Sequence, residues 1–316
     1  NDKDKDKNGS VEVANNRELV NIVNNNCNEN DGAWEIVDKE MNLVTKMQRT
    51  FTVDHNSNNI IVKVKMTDRA GNCVIDGVTD EEGWQHITFS IDKTAPVIDI
   101  VYNEDSVADE ENANFYKADR EAIITITERN FRAKDVVFAI TNTDKVIPEI
   151  DLNDADVWTE VKNDEDPDKT TYTAKIKYTA DGDYTFDIAY KDNAENVANE
   201  VEQHAFTIDK TLPVITVAYD NNDAQNGNYY KADRIATLTI VEHNFDPARV
   251  KNIGFATDSA TGTPVATTFP TISAWQNVGP DTYVATIAYT ADSKYTFDIE
   301  FNDMAGNSIV DYTPVE

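Results

Sequence analysis

The sequence predicts an all-β protein built of tandem antiparallel β-sandwich domains. Three observations predict it: a long internal repeat, a period of two in the apolar residues, and no sustained helical periodicity. The segment FSIDKTAPVIDIVY (89–102) returns as FTIDKTLPVITVAY (206–219), which makes Asp92 and Asp209 equivalent. FYKADREAIITITERNF (115–131) returns as YYKADRIATLTIVEHNF (229–245), and YTADGDYTFDIAYKDNAEN (178–196) as YTADSKYTFDIEFNDMAGN (289–307). A weaker copy, IIVKVKMTDRAGN (60–72), leads through Trp84 and His86 into the first IDKT. The repeat divides the chain into 1–91, a divergent unit read as truncated, then 92–208 and 209–316.

Each full unit reads as short strands separated by Asp, Asn and Gly clusters. In the middle unit the expected inward sets are Ile98, Ile100 and Tyr102 in the opening strand A, Ile124 and Ile126 in B, and Val137 and Ala139 in C. They continue with Ala174, Ile176 and Tyr178 in E and Tyr184, Phe186, Ile188 and Tyr190 in F. Seven strands over such a length suit an immunoglobulin-like topology. Tyr184 and Tyr295 stand two residues before Phe186 and Phe297, the spacing of a corner tyrosine whose hydroxyl bonds back to the preceding loop, with phenylalanine in the core place of the usual cysteine. In the first unit, matching Val11–Val13 to Thr125–Thr127 of strand B leaves it without an opening strand.

Composition restricts function. The 58 acidic against 28 basic residues give a net charge of -30, which repels nucleic acid and anionic lipid and supplies oxygen ligands to hard cations. No apolar run approaches the ~18 residues of a membrane span, so no membrane insertion is expected of this segment. Residues 1–10 lack a signal peptide's apolar middle and read as an internal or mature terminus.

At IDKTAP, IDKTLP, DRAGN, DNAEN and DMAGN the sequence resembles the bacterial immunoglobulin-like (BIg-type) repeats of large cell-surface adhesins. There a D-x-T-A-P linker opens a domain and a D-x-A-G-N turn precedes its last strand. The resemblance covers nearly the whole chain. It implies an extracellular location on a bacterial cell surface, a rod-like parent, and a host or glycan ligand bound elsewhere in that parent. DNAEN departs from the pattern, with Glu195 where a tight turn calls for glycine, and IDKTLP departs at Leu212.

The sharpest site expectation is calcium at the domain junctions. In an immunoglobulin topology the B–C and F–G loops face the preceding linker. That gathers Asp92 with Glu128, Asn130, Asp192 and Asn196, and Asp209 with Glu242, Asn244, Asp303 and Asn307. Calcium takes six to eight oxygens, which carboxylates and carbonyls there can supply, whereas Asx turns need the same residues without a metal. No cofactor is required by any other motif. Residues 4–15 imitate an EF-hand loop but end on Asn15 instead of glutamate.

The four histidines show no zinc spacing, and no nucleophile-elbow, phosphate-loop or dinucleotide motif occurs, so the chain is expected not to be an enzyme. Lys117 and Lys231 with Asn196 and Asn307 offer the residue types of an isopeptide bond, or plain solvated turns. Trp158 and Trp275 read as packing residues in preference to sugar platforms, since both full units carry one. Cys27 and Cys73 leave a disulfide and two free thiols both open. The reading as a whole is a stalk or adhesive spacer, extended and monomeric. Its rivals are a glycan- or host-protein-binding module and the linker region of a secreted glycoside hydrolase.

Overall fold

The computed structural model describes residues 53–65, 85–103, 114–258, 261, 263 and 269–309, with backbone alone at 61–65 and 85–86, together with the backbone of four earlier strands. The chain divides into two compact units, residues 1–96 with 191–198 and residues 97–190 with 199–316. Among the described residues helix is confined to single 3₁₀ turns, so the fold is all-β sandwich.

In the first unit β1 (Ser10–Asn15), β2 (Glu18–Ile22), β5 (Ser57–Lys65) and β6 (Gln85–Ile91) form one sheet in the order β2-β1-β5-β6. A hairpin of β3 (Glu35–Glu40) and β4 (Leu43–Gln48) stands beside that order as its own pair. β1 pairs antiparallel with β5, Val13 opposite Val62, and β5 carries the sequence repeated in strand F. Strand C is the neighbour of F in the repeat, so β1 takes the C place and the match of Val11–Val13 to strand B is corrected. Three residues of β-branched alternation fit either strand; only the ladder distinguishes them. β1 also makes residues 10–15 of the EF-hand mimic strand, where an EF-hand would be leading into its second helix.

The second unit holds two sandwiches built alike. In the first of them β11 (Thr159–Val161), β12 (Thr171–Tyr178), β9 (Arg120–Thr127) and β7 (Val97–Tyr102) form one sheet. β10 (Val136–Asn142), β13 (Gly182–Tyr190), β14 (His204–Ile208) and the short β8 (Phe115–Tyr116) form the other. β8 joins β14 in parallel, the one parallel pair among the described strands. Ile124, Ile126, Ala174, Ile176, Tyr178, Tyr184, Phe186, Ile188 and Tyr190 are all buried between the sheets. Alternation in β9, β12 and β13 therefore points as the apolar period dictates.

Strand C is the exception. Val137 is 69% exposed and Ala139 faces outward with it, while Val136, Phe138 and Ile140 turn inward. The run VVFAI is apolar at both parities, so period alone does not choose a face. The 3₁₀ turn Ala133–Asp135, whose Ala133 is buried, fixes the phase one residue earlier.

The other sandwich repeats this plan with β15 (Val214–Tyr219), β16 (Arg234–Val241), β20 (Thr282–Tyr289) and β19 (Gln276–Gly279) in one sheet. Opposite lie β17 (Lys251–Asn252) with β22 (Ile299–Glu300) and β18 (Phe255–Thr257) with β21 (Lys294–Thr296). Between β17 and β18, a Cβ on Gly254 would lie 2.4 Å from the Phe269 ring, so glycine there lets Phe269 reach the core.

Candidate metal centre

The period of two delivers the site. In β16 the inward positions Ala236, Leu238 and Ile240 lead to Glu242, and along strand F Phe297, Ile299 and Phe301 lead to Asp303. Each carboxyl thus occupies the next core-facing position past the last apolar one, at the end of the sandwich where the chain enters. Asp209 follows the fully buried Ile208. Asp209, Glu242 and Asp303 are 4%, 3% and 0% exposed, and their nearest oxygens lie within 4.8 Å of one another.

Hydrogen bonds account for part of this charge. Asn307 donates Nδ2 to Asp303 Oδ2 at 2.7 Å and to the Asp209 carbonyl at 2.9 Å, and its N–H reaches Asp303 Oδ1 at 2.7 Å. Thr211 N–H donates to Asp209 Oδ1 at 3.1 Å, and Asn244 N–H to Glu242 at 3.0 Å. Asp209 Oδ2 is buried and takes no hydrogen bond from an N–H or hydroxyl group, and the Glu242 carboxyl is the side chain that meets Asp209. Nδ2 of Asn244 is likewise buried without an acceptor, in the place where an amide turned half round would present its oxygen.

Electrostatics agree with crowding. Burial, aided by the Asp209 and Asp303 charges and opposed by the Asn244 N–H, pushes Glu242 up to about 8. Burial and then the Asp303 charge raise Asp209, and burial raises Asp303 against the bonds from Asn307. Three buried carboxyls with one unsatisfied oxygen require protons or a cation, because like charges this close in low dielectric repel strongly. An all-oxygen donor set of carboxylates and amides is of the kind that a hard divalent ion takes.

No protein-family model and no curated protein matches this chain. Among solved structures, the C-terminal domain of the Streptococcus pyogenes antigen I/II-family protein AspA is similar at 10% identity and a TM-score of 0.25, with 68% of this chain and 96% of that chain covered.

The equivalent residues of the first junction fall in different units. Within the first unit, Asn196 donates to Asp192 Oδ2 at 2.8 Å and to the Asp92 carbonyl at 3.2 Å, the bonds that Asn307 makes. Within the second, Asn130 N–H donates to the buried Glu128 at 2.8 Å. The turns match as well. Glu195 N–H bonds Asp192 O and Gly306 N–H bonds Asp303 O, both at 3.3 Å, and both residues are left-handed, at φ 71° and 83°. Glu195 thus adopts the glycine conformation instead of abolishing the turn.

Tyr184 and Tyr295 donate their hydroxyls to the carbonyls of Ala180 and Ala291 at 2.9 and 2.8 Å, and Phe186 and Phe297 are buried. Trp158 is buried, donates Nε1 to Leu152 O at 2.9 Å, and meets the Phe131 ring at 4.8 Å. Trp275 meets Phe245 at 5.1 Å in the same way. Trp158 is thus packed inside its sandwich, and Trp275 is partly buried against the core of the other.

Lys117 and Lys231 are exposed. Lys231 precedes β16 while Glu242 beside Asn307 follows it, and the eight residues of that strand alone span about 26 Å at ~3.3 Å per residue, so no isopeptide forms there. Cys27 and Cys73 lie outside the described residues.

Sequence reasoning missed Arg120 and Arg234. The Arg120 guanidinium lies 3.6 Å from the Tyr102 ring centre, 4.0 Å from Tyr116 and 4.4 Å from Phe206; Arg234 lies 3.6 Å from Tyr219 and 4.1 Å from Tyr230. Both belong to the repeated YKADR, which was the available signal: an arginine kept beside tyrosines on a strand start is a cation–π candidate.

Proposed function

We propose that this chain is a non-catalytic spacer or adhesive stalk segment of a bacterial cell-surface protein, made of three tandem sandwich units with boundaries near 92 and 209. The observation that carries the reading is the repeated junction chemistry. A linker aspartate and two strand-end carboxyls recur in sequence at both boundaries, while the structure assembles the second set as a buried cluster. Repetition at junctions serves geometry between units, whereas a catalytic centre is ordinarily unique to one. Calcium is the cation proposed for the cluster, held by Asp209, Glu242 and Asp303 with Asn244 completing the oxygens. Bound there, it neutralises the carboxyls and ties the linker to the B–C and F–G loops.

Titration calorimetry on the whole chain tests this. Calcium at up to millimolar concentration is expected to bind and to raise the melting temperature by mass action. Asp209→Ala removes the linker ligand and is expected to abolish one binding event while the sandwiches stay folded. Absence of heat and of any melting shift would leave the aspartates as turn residues and remove the cation from the proposal.

A further inference from the structure

The linker's other side chains turn away from the cation cluster, toward the preceding sandwich. Asp181, in the turn between β12 and β13, accepts the Lys210 N–H at 3.0 Å and the Thr211 hydroxyl at 2.8 Å on the same oxygen, Oδ2. The Lys210 ammonium donates to Thr179 O at 2.6 Å and to Asp119 at 2.8 Å. All of these acceptors belong to the sandwich that the linker leaves.

The first linker is held in the same way by its own preceding unit. There Asn56 accepts the Lys93 N–H on Oδ1 at 3.0 Å and donates Nδ2 to the Thr94 hydroxyl at 2.7 Å, while the Lys93 ammonium donates to Asp54 O. Two turns with unrelated sequences, VDHNSN and TADGDY, thus supply one Asx side chain to the same lysine amide and threonine hydroxyl.

We propose that Asp181 is a positioning residue that clasps the second IDKT linker to the preceding sandwich without any cation. Division of labour follows from the chain. In IDKT the Asp serves the following sandwich and the Lys and Thr serve the preceding one. The clasp presents Asp209 from a fixed base, so the linker is ordered before the carboxyl cluster is filled. Asn56 shows that an amide can hold both linker groups, and in Asp181→Asn an amide oxygen in the Oδ2 place can accept both the lysine N–H and the threonine hydroxyl.

The test is amide hydrogen exchange at Lys210 on the whole chain in chelator, so that the result is independent of calcium. Asp181→Ala is expected to speed exchange on the order of tenfold, the loss of a bond to a charged acceptor. Asp181→Asn is expected to restore protection to within about threefold of the native chain, a difference too small to represent a lost bond. Thr211→Val removes one arm and is expected to give an intermediate rate, and it carries the test should the alanine variant unfold. Unchanged exchange in Asp181→Ala, or in Thr211→Val where that variant stands in, overturns the clasp. So does an asparagine variant as unprotected as the alanine one, since that would make charge the agent and not the two-armed geometry.

Discussion

At the scale of single residues, the two corner tyrosines share a bond but not an environment. Tyr184 is 2% exposed and has a second acceptor, Val146 O, at 3.4 Å, whereas Tyr295 is only partly buried. Removing a hydroxyl from a buried site strands the carbonyl that it served, while a wetter site lets water replace it. Tyr184→Phe is therefore expected to cost about 1–2 kcal/mol and Tyr295→Phe about 0.5–1 kcal/mol. Equal melting shifts in calorimetry would show that burial does not set the strength of the corner. The spacing of each tyrosine to its phenylalanine was legible in sequence; the difference between them was not, because it depends on the loop ending at Val146.

At the scale of the element, the F–G turn of the middle repeat spends conformational energy that its sister does not. A left-handed L-residue costs about 1–2 kcal/mol, and glycine's extra freedom in the unfolded chain offsets about half of the gain from relieving it. Glu195→Gly is expected to stabilise that turn by ~0.5–1 kcal/mol, since the exposed pair with Lys191 contributes little in water. A lower melting temperature in that variant would mean the side chain matters more than the backbone.

The carboxyl cluster makes its own prediction at this scale. Glu242 has an ordinary value of 4.5 and rises to about 8 in the fold, so the stability it contributes is whole below pH 4.5 and is lost as pH rises through about 8. In chelator the sandwich of β15–β22 is expected to melt at lower temperature at pH 8 than at pH 5. Calcium is expected to close that gap, because it binds the ionised set and releases the protons. A melting temperature that climbs with pH in chelator would show the cluster ionised without cost.

At the scale of the whole molecule, the net charge of -30 sets the behaviour in solution. Copies repel one another on close approach, within the ~8 Å over which physiological salt leaves surface charge incompletely screened. The chain is expected to stay monomeric across a wide concentration range in light scattering. A mass that doubles with concentration would show that another force outweighs this repulsion. No helix among the described residues is long and apolar enough to cross a membrane.

The sequence by itself determined the fold class, the repeat and the strands whose apolar residues occupy one parity, because a half-buried strand writes its two faces directly into alternate positions. The same alternation, followed one step past Ile240 and Phe301, already pointed Glu242 and Asp303 into the interior. Only the tertiary structure decided the face of β10, where both parities are apolar, and the place of β1, which is defined by its partner β5 and not by its own residues. It supplied the 4.8 Å spacing of Asp209, Glu242 and Asp303, which the expected topology had already gathered at one junction, and it alone set Lys210 and Thr211 against Asp181. Such meetings join residues remote along the chain, and the local periodicity of a strand carries no information about which distant strand end will lie beside it.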